Sequence, residues 1–153
     1  FVPHDPHGCG RPPAQRGTER LMNARVFAVV TGGGTAGHVL PALAVAEGLV
    51  RLGHTPDEIH YVGAQRGVET RLLPPSGFPA TYFDVIGFKR SITRQNVRFV
   101  TKMVAARREA LALLKRLRPS VVVSVGGYAS LPCVLAARRL DIPVIVEIGR
   151  AHV

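Results

Sequence analysis

The sequence predicts an α/β fold in which helices cover both faces of a doubly wound parallel sheet. Three observations carry that reading. Short β-branched runs alternate with longer helical patterns from residue 25 onward. The runs are apolar throughout, as strands buried on both faces are, where a half-exposed strand would alternate. Two of them, "RVFAVVT" (25–31) and "VVVSVGG" (121–127), close on glycines, and ligand crevices of such sheets lie at the carboxyl ends of the strands. The composition agrees: 46% of the 153 residues are hydrophobic, only 6% are aromatic, and there is no Trp, which suits Val/Ala/Leu strands packed under helices. That length supports one ordinary domain with a real core, not two large ones.

The elements follow in order. Residues 1–21 are rich in Pro, Gly, His and Arg without apolar periodicity, so they read as a non-native or disordered leader, with Met22 as the expected native start. After the strand at 25–31, "HVLPALAVAEGLVRLG" (38–53) is apolar nearly all round, as a helix packed on a sheet is. Pro41 is expected in its first turn, where a missing N–H has no partner to lose, and Gly53 is expected to end it. "EIHYVGA" (58–64) reads as a strand, "GVETRLLPPSG" (67–77) as a short helix broken by prolines, and "ATYFDVI" (80–86) as a strand. A long helix is predicted from about Asn96 to Leu117, with Phe99, Met103, Ala106, Ala110, Leu113, Leu114 and Leu117 on one face and arginines on the other. Pro119 stops it. A strand (121–127), a helix (128–141) and a strand (142–146) complete the pattern.

Charge is concentrated. Of the formal net charge of +10, the segment Lys89 to Arg118 contributes +9, with Glu109 as its one acid. Such a run is either a solvated helix face or a surface for an anionic partner, membrane or nucleic acid. Phe88, Ile92, Phe99 and Met103 interleave with Lys89, Arg90, Arg94, Arg98 and Lys102, a pattern suited to an anionic bilayer surface. Nucleic acid is the rival, but stacking aromatics and a binding motif are missing, so no nucleic-acid partner is expected. No stretch reaches ~18 uninterrupted apolar residues and the leader has no signal-peptide core, so neither a membrane span nor export is expected. Cys9 and Cys133 stand in unlike contexts, which gives a disulfide or zinc site no support and fits a reduced cytoplasm.

The stretch "TGGGTAGHVLPALAVAEGL" (31–49) joins a strand to a helix through four glycines in seven residues. Glycines there let a ligand approach the backbone while the helix start presents unpaired N–H groups, so the expected ligand is an anion, most often phosphate. A Walker A loop requires Gly-Lys-[Ser/Thr], and His38 follows Gly37, which removes that reading. Gly32, Gly34 and Gly37 satisfy GxGxxG, but the end of the second strand holds Gly63, Ala64, Gln65 and Arg66, not a ribose-binding acid. Asp57 and Glu58 precede that strand, at the wrong end for a dinucleotide.

Together, "TGGGTAGHVLPALAVAEGL", "YVGAQRGVETRLLP", "GFKRS" and "VVVSVGGYASLPCVLAARRLDIPVIV" resemble the N-terminal half of the MurG family, in an actinobacterial-like version, over nearly all of residues 22–146. Members of that family are inverting GT-B transferases with two Rossmann-like domains. They move GlcNAc from UDP-GlcNAc to the C4 hydroxyl of the muramoyl sugar of lipid I, making lipid II at the cytoplasmic face of the membrane. The resemblance implies a substrate role on the UDP-GlcNAc side for Gly34, Thr35, Ala36 and Gly37. It implies contacts to the acceptor diphosphate of lipid I for Gly33, Gly126, Gly127, Tyr128 and Ser130. His38 is the candidate general base, or else it hydrogen-bonds a loop carbonyl or orients a phosphate. Tyr128 either meets the acceptor or packs at the strand end, and Glu69 either caps the short helix or meets ligand. Ala36 stands where other branches carry Gly, so its backbone must accept a Cβ. The membrane patch is expected at Phe88, Lys89, Arg90, Ile92, Arg94, Arg98, Phe99 and Lys102, on an anionic cytoplasmic leaflet. No cofactor and no protein-bound metal is implied, and His54 and His60 are read as structural or exposed.

The resemblance stops at "EIGRAHV" (147–153), which stands where the family carries His-Glu-[Gln/Ala]-Asn. Those residues read as the translation of a sequencing-library adapter and are expected to be an artefactual tail. The family's donor-binding domain is absent from the sequence, so this fragment alone is expected to be inactive. A stand-alone nucleotide- or lipid-diphosphate-binding domain is the alternative.

Overall fold

A computed structural model of the chain describes residues 26–86 and 94–147. Five parallel strands form one sheet: β1 (Ala28–Thr31), β2 (Ile59–Ala64), β3 (Ala80–Phe83), β4 (Val121–Ser124) and β5 (Val144–Val146), in the order β3-β2-β1-β4-β5. From β1 in the centre the chain winds out to β3, then crosses back over to β4. That reversal between β1 and β4 is the switch point at which doubly wound sheets open a crevice.

The helices are α1 (Ala36–Arg51), α2 (Glu69–Leu72), α3 (Arg94–Leu117) and α4 (Leu131–Arg139). Successive strand residues face opposite sides of a sheet, and the core divides accordingly. Val29, Val62, Phe83 and Val122 pack with Ala106, Ala110, Leu113 and Leu114 of α3 and Cys133, Ala136 and Ala137 of α4. Val30, Ile59, Tyr61 and Val123 pack with Ala42 and Ala46 of α1 and with Leu73 on the other side. Small residues on α3 and α4 let both helices lie close to the sheet and to each other. At ~25 cal/mol per Å² of apolar surface, this two-sided burial is the main stabilising term.

Most predicted elements form, with shorter strands. The run at 121–127 stops pairing at Ser124 because its last residues turn away as the second glycine segment. Helix α1 begins at Ala36, two residues earlier than the apolar pattern indicates, so Pro41 sits in its second turn and not its first. A proline there donates nothing to the carbonyl four residues back, which is that of Gly37. The other end of α1 is as expected: Gly53 at φ 106° donates to the Val50 carbonyl and His54 donates to that of Leu49, a Schellman closure. Among the described residues, no helix is long and apolar enough to cross a membrane.

Candidate functional site

Thr31, the last residue of β1, pairs with Val62 of β2 and Ser124 of β4. The segments leaving β1 and β4 therefore start level and side by side. In the first, the Gly32 N–H donates to the Val62 carbonyl (3.4 Å), and the buried Tyr61 hydroxyl donates to the Gly32 carbonyl (2.5 Å). Burial and the nearby Glu69 charge push the Tyr61 phenol far above its usual range, so the hydroxyl stays a donor. Gly34 adopts φ 94°, and its N–H donates to both Glu69 carboxylate oxygens, at 3.2 and 3.4 Å. Thr35, extended at φ −140° and ψ 155°, occupies the cap position of α1 without capping it through its side chain. Its hydroxyl lies 2.8 Å from Nδ1 of His38, on the first turn of the helix. That contact engages Nδ1 and leaves Nε2 on the side of Gly126, without a hydrogen-bond partner among the described residues.

The second segment turns through Gly126 (φ 91°) and Gly127 (φ 83°), left-handed conformations that side chains resist. It lies directly against the first. A methyl group at Gly126 would stand 3.2 Å from His38 Cδ2 and 3.5 Å from Nε2, and one at Gly127 would run into the Gly33 carbonyl. The half-buried ring of Tyr128 fills the space where a Gly34 side chain would project. Burial first, and the Glu69 charge second, raise the Tyr128 phenol above its usual range.

The tips of β1 and β4 therefore bring Gly33, Gly34, Thr35, Ala36, Gly37, His38, Gly126, Gly127 and Tyr128 side by side. Ala36 opens α1 in ordinary helical geometry, as its Cβ requires. Ser130 is placed differently from the expectation: it is 4% exposed, and its hydroxyl donates to the Gly127 carbonyl at 2.8 Å. It braces the turn from within.

Glu69 is the residue whose place the sequence left open between helix cap and ligand contact, and neither reading holds. It is fully buried, and its Oε1 accepts the Ala64 N–H at 2.5 Å as well as that of Gly34. The carboxylate thus joins the end of β2 to the first glycine turn. A signal was present in the glycines around it: added methyl groups at Gly33, Gly63 and Gly67 would all meet Glu69 first.

Of the basic stretch, Phe88, Lys89, Arg90 and Ile92 lie outside the described residues, as does the side chain of Arg94. Arg98 is exposed, whereas Phe99 and Lys102 are half-buried. The Lys102 ammonium donates to Asp84 Oδ2 at 2.5 Å. That bond, with Arg66 and Arg98 nearby, holds the Asp84 carboxyl below its usual range. Lys102 is therefore neutralised in place, which removes it from the cations open to a surface. Among the described residues, the large apolar side chains that α3 exposes are Val100 (57%) and Val104 (48%), one turn apart, not Phe99 and Met103.

The remaining polar groups lie elsewhere. His60 bonds the Thr81 hydroxyl at 2.8 Å, and burial with the Arg116 charge brings it down to about 4, so it is neutral at pH 7. His54 stacks on Phe27 with centroids 3.9 Å apart. Burial pushes the Cys133 thiol up to about 12, an inert group under the sheet. A hollow of about 430 Å³ lined by Leu114, Lys115, Arg118, Pro119, Leu140 and Ile142 opens beside the amino ends of β4 and β5, opposite the glycine turns. It brings together no acid, base or nucleophile pair.

Residues 28–147 match the glycosyltransferase family 28 N-terminal domain. The UDP-N-acetylglucosamine–N-acetylmuramyl-(pentapeptide) pyrophosphoryl-undecaprenol N-acetylglucosamine transferase of Caldicellulosiruptor saccharolyticus is 41% identical over 132 residues, covering 86% of this chain and 35% of that protein. The protein of the same name from Leuconostoc mesenteroides is 44% identical over 120 residues, 78% of this chain and 32% of that one. The crystal structure of Acinetobacter baumannii MurG superposes with a TM-score of 0.66 at 31% identity, covering 78% of this chain and 34% of that chain. The chain spans about a third of the length of the curated relatives it matches. With a family match that covers most of its length and a sheet order that puts both glycine turns at one switch point, this chain belongs to glycosyltransferase family 28, as an N-terminal domain of that family.

Proposed function

We propose that this chain is the acceptor-side domain of an inverting transferase that moves GlcNAc from UDP-GlcNAc to the C4 hydroxyl of the muramoyl sugar in lipid I, giving lipid II. The observation that carries the reading is the His38 imidazole held between two abutting glycine turns, on a fold whose relatives are named for this transfer. Inversion by single displacement requires one base. The acceptor oxygen attacks the anomeric carbon, the bond to the UDP oxygen breaks, and the hydroxyl proton passes to His38 Nε2. For that nitrogen to carry a lone pair, Nδ1 must hold the ring proton and donate it to the Thr35 hydroxyl, which the 2.8 Å separation allows. Backbone N–H groups beside the imidazole supply donors for the acceptor's diphosphate.

Replacing His38 by Ala in the complete transferase is expected to lower kcat by about a hundredfold or more with a small change in KM, the range of a positioned general base. A loss below about tenfold reassigns the imidazole to binding.

A membrane-anchored acceptor needs the enzyme at the bilayer, and the exposed stripe of Val100, Val104, Arg107 and Arg108 on α3 supports docking on an anionic leaflet. Each cation near such a surface contributes about 1 kcal/mol. Co-sedimentation with phosphatidylglycerol vesicles should exceed that with phosphatidylcholine vesicles and fall with added salt. Equal binding to both removes the docking surface.

A further inference from the structure

We infer that Glu69 serves as the built-in anion of the first glycine turn, so that the diphosphate of a substrate is held by the second turn, at Gly126 and Gly127, and not at Gly33 and Gly34 of the first. The inference rests on the transferase reading above and changes which loop grips phosphate.

A strand-to-helix glycine turn ordinarily offers its amides to a phosphate. Here the Gly34 amide is already taken by a carboxylate, and the same carboxylate accepts from Ala64 at 2.5 Å. Glu69 has no exposed surface, and among the described residues no cation hydrogen-bonds or ion-pairs with it. Its compensation comes from backbone N–H groups, which bond a carboxylate about twice as strongly as a neutral acceptor. Its negative charge also reaches the phenols of Tyr61, Tyr82 and Tyr128, each raised in part by it. Gly33 lies against Oε1 closely enough that an added methyl group would collide. A phosphate seated on Gly33 and Gly34 would therefore face a like charge across one backbone layer, where low polarity screens little.

The second turn is the opposite case. Among the described residues nothing accepts from the Gly126 or Gly127 amides, and the nearest side chain to Gly126 is the His38 imidazole. A diphosphate held there lies next to the group proposed to take the acceptor proton. The first turn then supplies a fixed platform for Thr35 and His38.

The test uses the ¹⁵N-labelled 153-residue chain titrated with inorganic pyrophosphate. In the parent, the Gly126 and Gly127 amide resonances should move, and the Gly34 amide, exchange-protected by its carboxylate bond, should not. Glu69→Gln keeps an oxygen at the Oε1 position and removes the charge, so pyrophosphate should bind about threefold to tenfold more tightly. Glu69→Ala frees the Gly34 amide, which should lose protection and begin to respond to pyrophosphate. Should Glu69→Ala not fold, the parent and Glu69→Gln titrations still decide. A Gly34 response in the parent equal to that of Gly126, or weaker pyrophosphate binding in Glu69→Gln, overturns the inference and leaves the transferase reading standing. If neither turn responds at millimolar pyrophosphate, the anion-binding reading itself falls, and this inference with it.

Discussion

The two glycine turns sit side by side but are held by different physics. The first is tied down by side chains that arrive from β2 and α2: the Tyr61 hydroxyl on the Gly32 carbonyl and the Glu69 carboxylate on the Gly34 amide. The second has one side-chain tie, the Ser130 hydroxyl on the Gly127 carbonyl, and is otherwise held by shape. Gly126 and Gly127 take left-handed backbone angles, and Gly127 packs its bare Cα against the Gly33 carbonyl. Side-chain ties can be adjusted one at a time, whereas a backbone-to-backbone contact tolerates no added atom. The difference implies that a substitution at Gly127 meets backbone that cannot give way, whereas substitutions at Gly33 and Gly34 meet the side chains of Glu69 and Tyr128, which would have to shift.

The largest expected effect follows directly. Gly127→Ala places a methyl group on the Gly33 carbonyl and adds left-handed strain at φ 83°. It should cost about 2–5 kcal/mol of stability, from strain of about 1–2 kcal/mol plus overpacking of about 1–3 kcal/mol. Urea unfolding of the parent and variant measures it. A loss under about 1 kcal/mol would mean that the two turns can separate freely, and the contrast between tied and interlocked loops would fail.

Much of this was legible in the sequence, for reasons that are local. Apolar runs at 28–31, 59–64 and 121–124 announce buried strands, and the three- and four-residue spacing of Ala106, Ala110, Leu113 and Leu114 announces the buried face of α3. Glycines after two strands foretold neighbouring turns once the sheet was parallel and doubly wound, and the order β3-β2-β1-β4-β5 sets β1 beside β4. What escaped were the non-local contacts. Glu69 reads as a helix-start acid because propensity sees its neighbours at 68 and 70, while its bonds run to Gly34, 35 positions away. Ser130 reads as a ligand hydroxyl, yet a hydroxyl at a helix start is as readily turned back to the carbonyl three residues earlier, and Gly127 provides it. Phe99 and Lys102 read as members of one surface patch because they interleave with basic residues, but a helix separates neighbours in sequence by about 100°. Lys102 meets Asp84, and the valines at 100 and 104 carry the exposed apolar surface.

The smallest expected change in stability is the most informative about ligand. Gly37 stands on the first turn of α1, exposed, with its φ outside the left-handed region. A methyl group there would meet only the Thr35 hydroxyl, at 3.9 Å. Nothing within the described residues requires glycine at this position, and an alanine on a helix ordinarily stabilises it by about 0.5–1 kcal/mol relative to glycine. Gly37→Ala should therefore raise the unfolding midpoint slightly. If a sugar nucleotide or an acceptor must approach the backbone at this turn, the same change should cut kcat/KM of the complete transferase by about tenfold or more, a loss of ~1.4 kcal/mol in transition-state binding. Greater stability with lower turnover separates space reserved for a ligand from space required by folding. A Gly37→Ala transferase with undiminished kcat/KM would show that no ligand comes within contact of this helix start, and the first turn would then act only through Thr35 and His38.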